Sequence, residues 1–266
     1  MKLPTFTFVL ALVTLALPTV ARATPPAKGT AKKNQPVAKG TANTAVINDS
    51  WYTMQAGNTP FGYFHEIIEL RNGRYSYRYA MTKVENNNVY EENIGALSEP
   101  DLTPIAFNLN KAGASTTEST NATYNAGNGG GSASFKIEVT GAKAATFSRG
   151  CPKNTILDVF FPIWIRDNWS KMKPGYHGWV NTFAEDPEHF DFRSRMVRFE
   201  VKARDPVLDC VKIFVQMDTV KGDWCMKSDG VLEDLKVGGY HVRRTSGEEE
   251  AKSFMSGILP KRKSGS

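Results

Sequence analysis

Two apolar segments joined by an Asn-Gly turn place the strongest constraint on what this chain can fold into. Residues 61–70 and 74–84 flank Arg71-Asn72-Gly73, and Asn-Gly between such segments is typical of a tight β-hairpin. In the second segment, RYSYRYAMTKV, three tyrosines and Met81 alternate with Arg, Ser and Ala, so one face of the strand is apolar. The pattern predicts an antiparallel hairpin with one buried face.

Comparable segments, separated by short turns, follow along most of the chain. Such spacing favours antiparallel neighbours, because parallel strands need longer crossovers. With the hairpin they predict about a dozen strands; the others are expected at residues 89–97, 105–109, 115–125, 133–140, 143–148, 176–183, 192–204, 207–219, 223–227 and 231–244.

One apolar segment interrupts the strands: residues 155–169 read TILDVFFPIWIRDNW. Asn154 or Thr155 can cap a helix here, and Pro174-Gly175 can stop it. Pro162 should kink the helix or mark its first turn. A helix that is apolar on all sides must be covered on all sides. The sequence therefore predicts a mainly β fold: an antiparallel open barrel or strongly curved sheet of about a dozen strands wrapped around one apolar helix at 154–172.

The two ends of the chain differ in composition from its body. Residues 1–23 combine a basic start, an apolar run shorter than a membrane span and the small-x-small sequence Ala21-Arg22-Ala23, which predicts a signal peptide cleaved after Ala23. Residues 24–50 read as a flexible basic linker, 51–246 as a single open β-barrel domain and 247–266 as a disordered tail. We expect a periplasmic protein, with secretion as the second choice and no transmembrane segment in the mature chain.

The formal net charge of +6 comes from the two ends of the chain. Between residues 51 and 252 acidic and basic residues nearly balance, whereas a nucleic-acid-binding protein carries its basic residues on the folded surface. The charge distribution therefore argues against a nucleic-acid partner.

Three cysteines, Cys151, Cys210 and Cys225, are present. An oxidising compartment would allow one disulfide. Cys210 and Cys225 lie on neighbouring predicted strands and are the favoured pair, with buried free thiols as the alternative. The spacing matches no metal-ligand signature, and we expect neither a metal nor a cofactor.

The order of several features resembles an uncharacterised family of exported bacterial β-rich domains, which is similar in architecture to the periplasmic lipoprotein-localisation carriers. These features are Gly62-Tyr63 in an early strand, the break EPDLTPI at 99–105, Asp158 to Arg166 in the apolar helix, Pro174-Gly175 before a strand, and Trp224 followed by Asp229-Gly230. The resemblance implies an open barrel around helices that carries acyl chains, and it supplies no catalytic residues.

Aromatic side chains give the strongest indication of a site. They could line an apolar groove, or they could fill the core completely. The groove candidates are Phe160, Phe161, Trp164, Trp169, His177, Trp179 and Trp224.

No catalytic constellation is visible in the sequence. There is no Gly-x-Ser-x-Gly sequence, and Cys151, a candidate nucleophile beside the predicted helix start, has no assignable histidine. The leading prediction is a non-catalytic envelope protein that binds an apolar ligand, an acyl chain or lipoprotein, in a concave sheet. The alternative is a structural or interaction protein with a fully packed barrel and an envelope protein as partner. An enzyme is the third class.

Overall fold

The computed structural model describes residues 44–113, 117–127, 132–141, 144–186 and 191–258. These residues form one curved, unclosed sheet of fifteen strands with a short apolar helix against it, which confirms the predicted fold class. The first eight strands are β1 Thr44–Ala56, β2 Thr59–Arg71, β3 Arg74–Glu85, β4 Asn88–Ser98, β5 Pro104–Ala112, β6 Thr117–Asn125, β7 Ala133–Thr140 and β8 Ala145–Cys151.

The second part of the chain holds the helices. Its elements are β9 Ile156–Leu157, α1 Phe161–Asp167, β10 His177–Asp186, β11 Asp191–Asp205, β12 Cys210–Met217, β13 Val220–Met226, β14 Leu232–Val237, β15 Tyr240–Arg244 and α2 Glu248–Ser253.

Neighbouring strands of the sheet are consecutive in the chain, except that β1 pairs with β15. The order is β8-β7-β6-β5-β4-β3-β2-β1-β15-β14-β13-β12-β11-β10-β9, so the first and last strands pair in the middle. All pairs are antiparallel except β9 with β10. The end strand β8 approaches β11, but in the described parts of the chain no ladder joins the two ends of the sheet.

The predicted hairpin is confirmed as β2 and β3. Asn72 and Gly73 have φ angles of 51° and 76°, and two successive positive φ values define the type I′ turn that matches the twist of antiparallel strands. On β3 the alternating residues Tyr75, Tyr77 and Tyr79 are buried, as the pattern predicts.

The predicted helix at 154–172 is wrong in its extent. The segment divides into β9, a 3-10 turn at Asp158–Phe160, the seven-residue α1 and a second 3-10 turn at Trp169–Lys171. Pro162 lies in the first turn of α1, where its missing N–H costs nothing. The helix therefore cannot extend towards residue 154 without placing the proline in its interior, where it would break a hydrogen bond.

The predicted domain boundaries at 51 and 246 are also wrong. β1 begins at Thr44, inside the predicted linker, and α2 lies inside the predicted disordered tail. Both are held by packing: β1 pairs with β2 and β15, and Ala251 and Met255 at α2 are fully buried. The predicted signal peptide, residues 24–43 of the linker and residues 259–266 lie outside the described residues.

Phenylalanine rings fill one side of the concave face. The ring of Phe135 on β7 stacks on that of Phe183 on β10 with centroids 3.8 Å apart, and Phe107 on β5 meets Phe192 on β11 at 5.0 Å. These strands lie on opposite arms of the curved sheet, so the rings bridge its interior.

In the described residues no helix is long and apolar enough to cross a membrane.

Candidate functional site

The seven predicted groove residues do not form one groove. Phe160 and Phe161 are buried in the core, at 0% and 2% exposure. Trp164, Trp169 and Trp224 are half-buried. His177 is exposed and Trp179 is 68% exposed. The residues therefore divide into core, rim and outer surface.

The alternation of β10 explains why His177 and Trp179 face outward. Gly178, between them, faces the interior, where a Cβ atom would lie 3.1 Å from the Phe199 ring. Successive residues of a strand point to opposite faces, so both neighbours of Gly178 project from the outer face. His177 is held there by the Gly175 carbonyl, 3.1 Å from its Nδ1. These two residues are wrong as groove candidates.

An aromatic cluster surrounds α1. In this cluster Phe161 lies 5.9 Å from Trp164 and 5.8 Å from Trp224, measured between ring centroids. Phe199 on β11 meets Trp164 at 5.3 Å and Tyr176 at 5.6 Å. Such edge and offset contacts stabilise aromatic groups beyond their burial. The aromatic cluster, defined as these five residues, includes three predicted groove residues.

Sequence reasoning missed Phe199 and left Tyr176 out of the groove candidates. Phe199 lies on an alternating stretch of β11 with Val197 and Val201, which are also buried. That alternation was a usable sign of an inward ring. Tyr176 precedes β10 and carried no pattern of its own.

Two contacts fix α1 over the end of the sheet. Arg166 donates from Nη2 to the Tyr75 hydroxyl at 2.6 Å. The β13–β14 turn also packs closely against the helix: Gly230 has φ +86°, and a Cβ atom there would lie 3.0 Å from the Pro162 carbonyl oxygen. A larger residue at 230 would therefore crowd the helix backbone.

A second interior feature is a buried polar network on β1, β2, β3 and β15. Glu66 accepts hydrogen bonds from Asn48 Nδ2 at 2.5 Å and from the Tyr77 hydroxyl at 3.2 Å. Ser50 donates to Asn48 Oδ1 at 2.6 Å, and Arg244 Nε donates to Ser50 Oγ at 3.1 Å. The network, defined as these five residues, links a buried carboxyl to an arginine near the surface.

Burial raises the pKa of Glu66 from 4.5 to about 7, against the opposing effect of its bonds to Tyr77 and Asn48. The Arg244 guanidinium ion-pairs with Glu233 at 2.7 Å. Among the residues that the structure describes, no ion pair joins a cation to Glu66, which is thus a titratable carboxyl in the interior.

The structure joins Cys210 and Cys225 in a disulfide between β12 and β13, with Cα atoms 5.4 Å apart. This is the pair that the sequence favoured, and its oxidation in the mature protein stays a prediction. Cys151 is a free thiol whose pKa is raised by burial. A raised pKa disfavours the thiolate that a nucleophile needs, so the enzyme hypothesis loses support at this residue.

Among the described residues no group of three or more His, Cys, Asp or Glu side chains is placed to hold a metal ion.

Comparison with known proteins identifies the fold but no family. No protein-family model matches the chain, and no curated protein matches it significantly. The chain is similar to the crystal structure of a β-barrel-like protein with domain of unknown function DUF1849 from Brucella abortus. The TM-score is 0.51 and the identity 10%, over 77% of this chain and 95% of that one.

A DUF1089 family protein from Pseudomonas aeruginosa is similar at a TM-score of 0.41 and 8% identity, over 65% of this chain and 89% of that one. The likeness to the Brucella protein fits the predicted resemblance to uncharacterised β-rich proteins, whereas export and similarity to lipoprotein carriers stay predictions. The chain therefore has a β-barrel-like fold, similar to that of the Brucella protein.

Proposed function

We propose that this protein is a non-catalytic binding protein of the cell envelope, which holds an apolar ligand, such as an acyl chain or a lipoprotein, at the aromatic cluster. The observation that carries the proposal is the partial exposure of its rim. Trp164, Tyr176 and Trp224 are half-buried, whereas Phe161 and Phe199 beneath them are buried. Apolar area left in water next to a packed core is a favourable surface for an apolar partner.

In this proposal the ligand lies on the half-exposed rings of the aromatic cluster beside α1, rather than deep inside the concave face. The phenylalanine rings of β5, β7, β10 and β11 occupy the interior. A chain threaded between them would have to separate rings in direct contact, and dense packing makes such displacement costly. The rim of the aromatic cluster needs no comparable rearrangement.

Uptake of a fluorescent fatty acid tests the proposal with matched tryptophan variants. Trp224→Ala and Trp164→Ala should weaken binding roughly tenfold or more, equivalent to about 1.4 kcal/mol. Trp179→Ala removes the same side chain from the outer face of β10 and should leave binding unchanged. Equal affinities in all three variants, each shown to be folded by circular dichroism, would reject the aromatic cluster as the site.

The second candidate function is a structural or interaction protein with a filled barrel. It is favoured by the outer face of β10 and β11, where Trp179 is 68% exposed and Met196 is 42% exposed. Asn181 lies opposite Met196, and Trp179 lies opposite Arg198, across the β10–β11 pair. If this surface binds an envelope protein, Trp179→Ala should abolish capture of that protein while Trp224→Ala leaves it intact.

A further inference from the structure

A cleft lies on the outer face of the sheet, opposite the interior face against which α1 packs. It has a volume of about 300 Å³ and lies between α2 and the outward residues of β1 and β15. Its lining includes Thr53, Gln55, His241, Arg243, Glu250 and Phe254. This volume is in the range of sites for small molecules.

The base of the cleft is rigidly held. His241 Nε2 contacts Asp234 Oδ1 at 2.5 Å, and its Nδ1 lies 3.5 Å from Gln55 Nε2. The Asp234 carboxylate accepts a hydrogen bond from Nε2–H, and Nδ1 faces the Gln55 amide. The imidazole is thereby fixed in orientation.

Helix α2 forms the opposite wall and is firmly docked. Ala251 and Met255 are 0% exposed. Glu250 Oε2 accepts hydrogen bonds from both the N–H and the hydroxyl of Ser246 at 2.8 Å. These bonds hold the Glu250 carboxylate at the cleft, and they lower its pKa, with a smaller contribution from Arg243.

Two opposite charges remain at the cleft after the other pairs are accounted for. Arg244 is paired with Glu233 at 2.7 Å, and His241 with Asp234. Within the described parts of the chain, no ion pair joins Arg243 to Glu250, although both line the cavity. A guanidinium and a carboxylate separated by a cavity complement a ligand that carries both an anion and a cation.

We propose that this cleft binds a small zwitterion with the charges of a free α-amino acid. Arg243 receives the ligand carboxylate, Glu250 receives its ammonium group, and Phe254 supplies an apolar wall for the side chain. The site is separate from the aromatic cluster, so either can fail without the other.

Amide chemical shifts of the ¹⁵N-labelled protein, followed by NMR during titration at pH 7, test the proposal. The probes are glycine, L-leucine and L-glutamine, with N-acetyl-L-leucine and L-leucinamide as analogues that each lack one charge. At least one amino acid should give saturable shifts confined to β1, β15 and α2. The analogues that lack one charge should bind roughly tenfold more weakly than the amino acid that binds best.

Matched variants separate the two charges. Arg243→Gln and Glu250→Gln should each weaken binding roughly tenfold, whereas Arg198→Gln and Glu249→Gln should not. Gln at 250 keeps an oxygen for the Ser246 donors, so α2 should remain docked, which thermal melting checks. The proposal is overturned if no amino acid gives saturable shifts, if the shifts lie elsewhere, or if N-acetyl-L-leucine binds as tightly as the zwitterion.

Discussion

The two sides of the sheet interior are stabilised by different kinds of interaction. Near β1, β2 and β3 the interior contains the polar network around Glu66. Between β5, β7, β10 and β11 it contains stacked phenylalanine rings. Ring packing is insensitive to pH and sensitive to volume, whereas a buried carboxyl is sensitive to pH. The contrast shows that one continuous sheet can enclose a titratable half and an apolar half.

Removal of a stacked ring should have the largest effect. Phe135→Ala leaves a cavity against Phe183 and should lower the free energy of unfolding by about 3–5 kcal/mol. Phe214→Ala, which removes a half-buried ring from the outer face of β12, should cost far less. Urea denaturation at pH 5 and at pH 8 measures both. A loss that differed strongly between the two pH values would contradict the assignment of this half as apolar.

Titration of Glu66 should give the next largest effect. Its pKa is about 7 in the folded protein against 4.5 ordinarily. Between these values the unfolded chain has lost its proton and the folded protein retains it, so the free energy of unfolding should fall as pH rises. The fall should total roughly 3 kcal/mol and end above pH 7.

Glu66→Gln should remove this dependence, because Gln keeps an acceptor oxygen and does not titrate. The quantity to compare is the difference between wild type and variant across pH 4–8, since other carboxyls titrate equally in both. Glu91→Gln, at an exposed position on β4, is the control and should leave the slope unchanged. A wild-type slope retained in Glu66→Gln would place the titrating group elsewhere.

The disulfide between Cys210 and Cys225 joins β12 and β13, next to the half of the interior that the phenylalanine rings fill. Their separation of 15 residues corresponds to about 3 kcal/mol of stabilisation in the chain-entropy model. Reduction should therefore lower the melting temperature without altering the pH slope due to Glu66. Peptide mapping without reductant should recover the two cysteines in one cross-linked fragment, and two separately alkylated thiols would refute the disulfide.

The smallest expected effect compares two tyrosines on the same face of β3. Tyr77 donates to Glu66, whereas the buried Tyr79 hydroxyl has no hydrogen-bond partner among the described residues. Tyr77→Phe should therefore cost about 1–2 kcal/mol, and Tyr79→Phe should be neutral or slightly stabilising. Chemical denaturation of the two variants side by side measures the difference, and equal losses would contradict the network.

The same polar network explains what the sequence could not reveal. The β2–β3 hairpin was predictable because Asn-Gly and the tyrosine alternation both indicate it. β1 was missed as a strand. Its inward residues Asn48 and Ser50 are polar, and a polar residue facing a buried carboxyl looks the same in sequence as one facing solvent. The division of 231–244 into β14 and β15 was also missed, although Gly238-Gly239 is a hairpin signal.

The sequence predicted which residue types make up the candidate site, but not how their side chains are arranged. Residues 155–169 indicated an apolar element, and Phe161, Trp164 and Trp224 do meet there. Which aromatic residues of β10 and β11 face it depends on strand parity, and Gly178, opposite Phe199 in the β10–β11 register, fixes that parity. Trp179 was therefore placed on the wrong side by reasoning that used aromatic content without register.

Native mass spectrometry of the mature protein, purified gently from its own envelope, tests the proposed function most directly. If the proposed function is right, the protein carries a mass excess that organic extraction removes and that corresponds to a lipid or lipoprotein fragment. This excess should be lost in Trp224→Ala but kept in Trp179→Ala. A bare mass for the wild-type protein, together with no uptake of a fluorescent fatty acid, would overturn the proposed function.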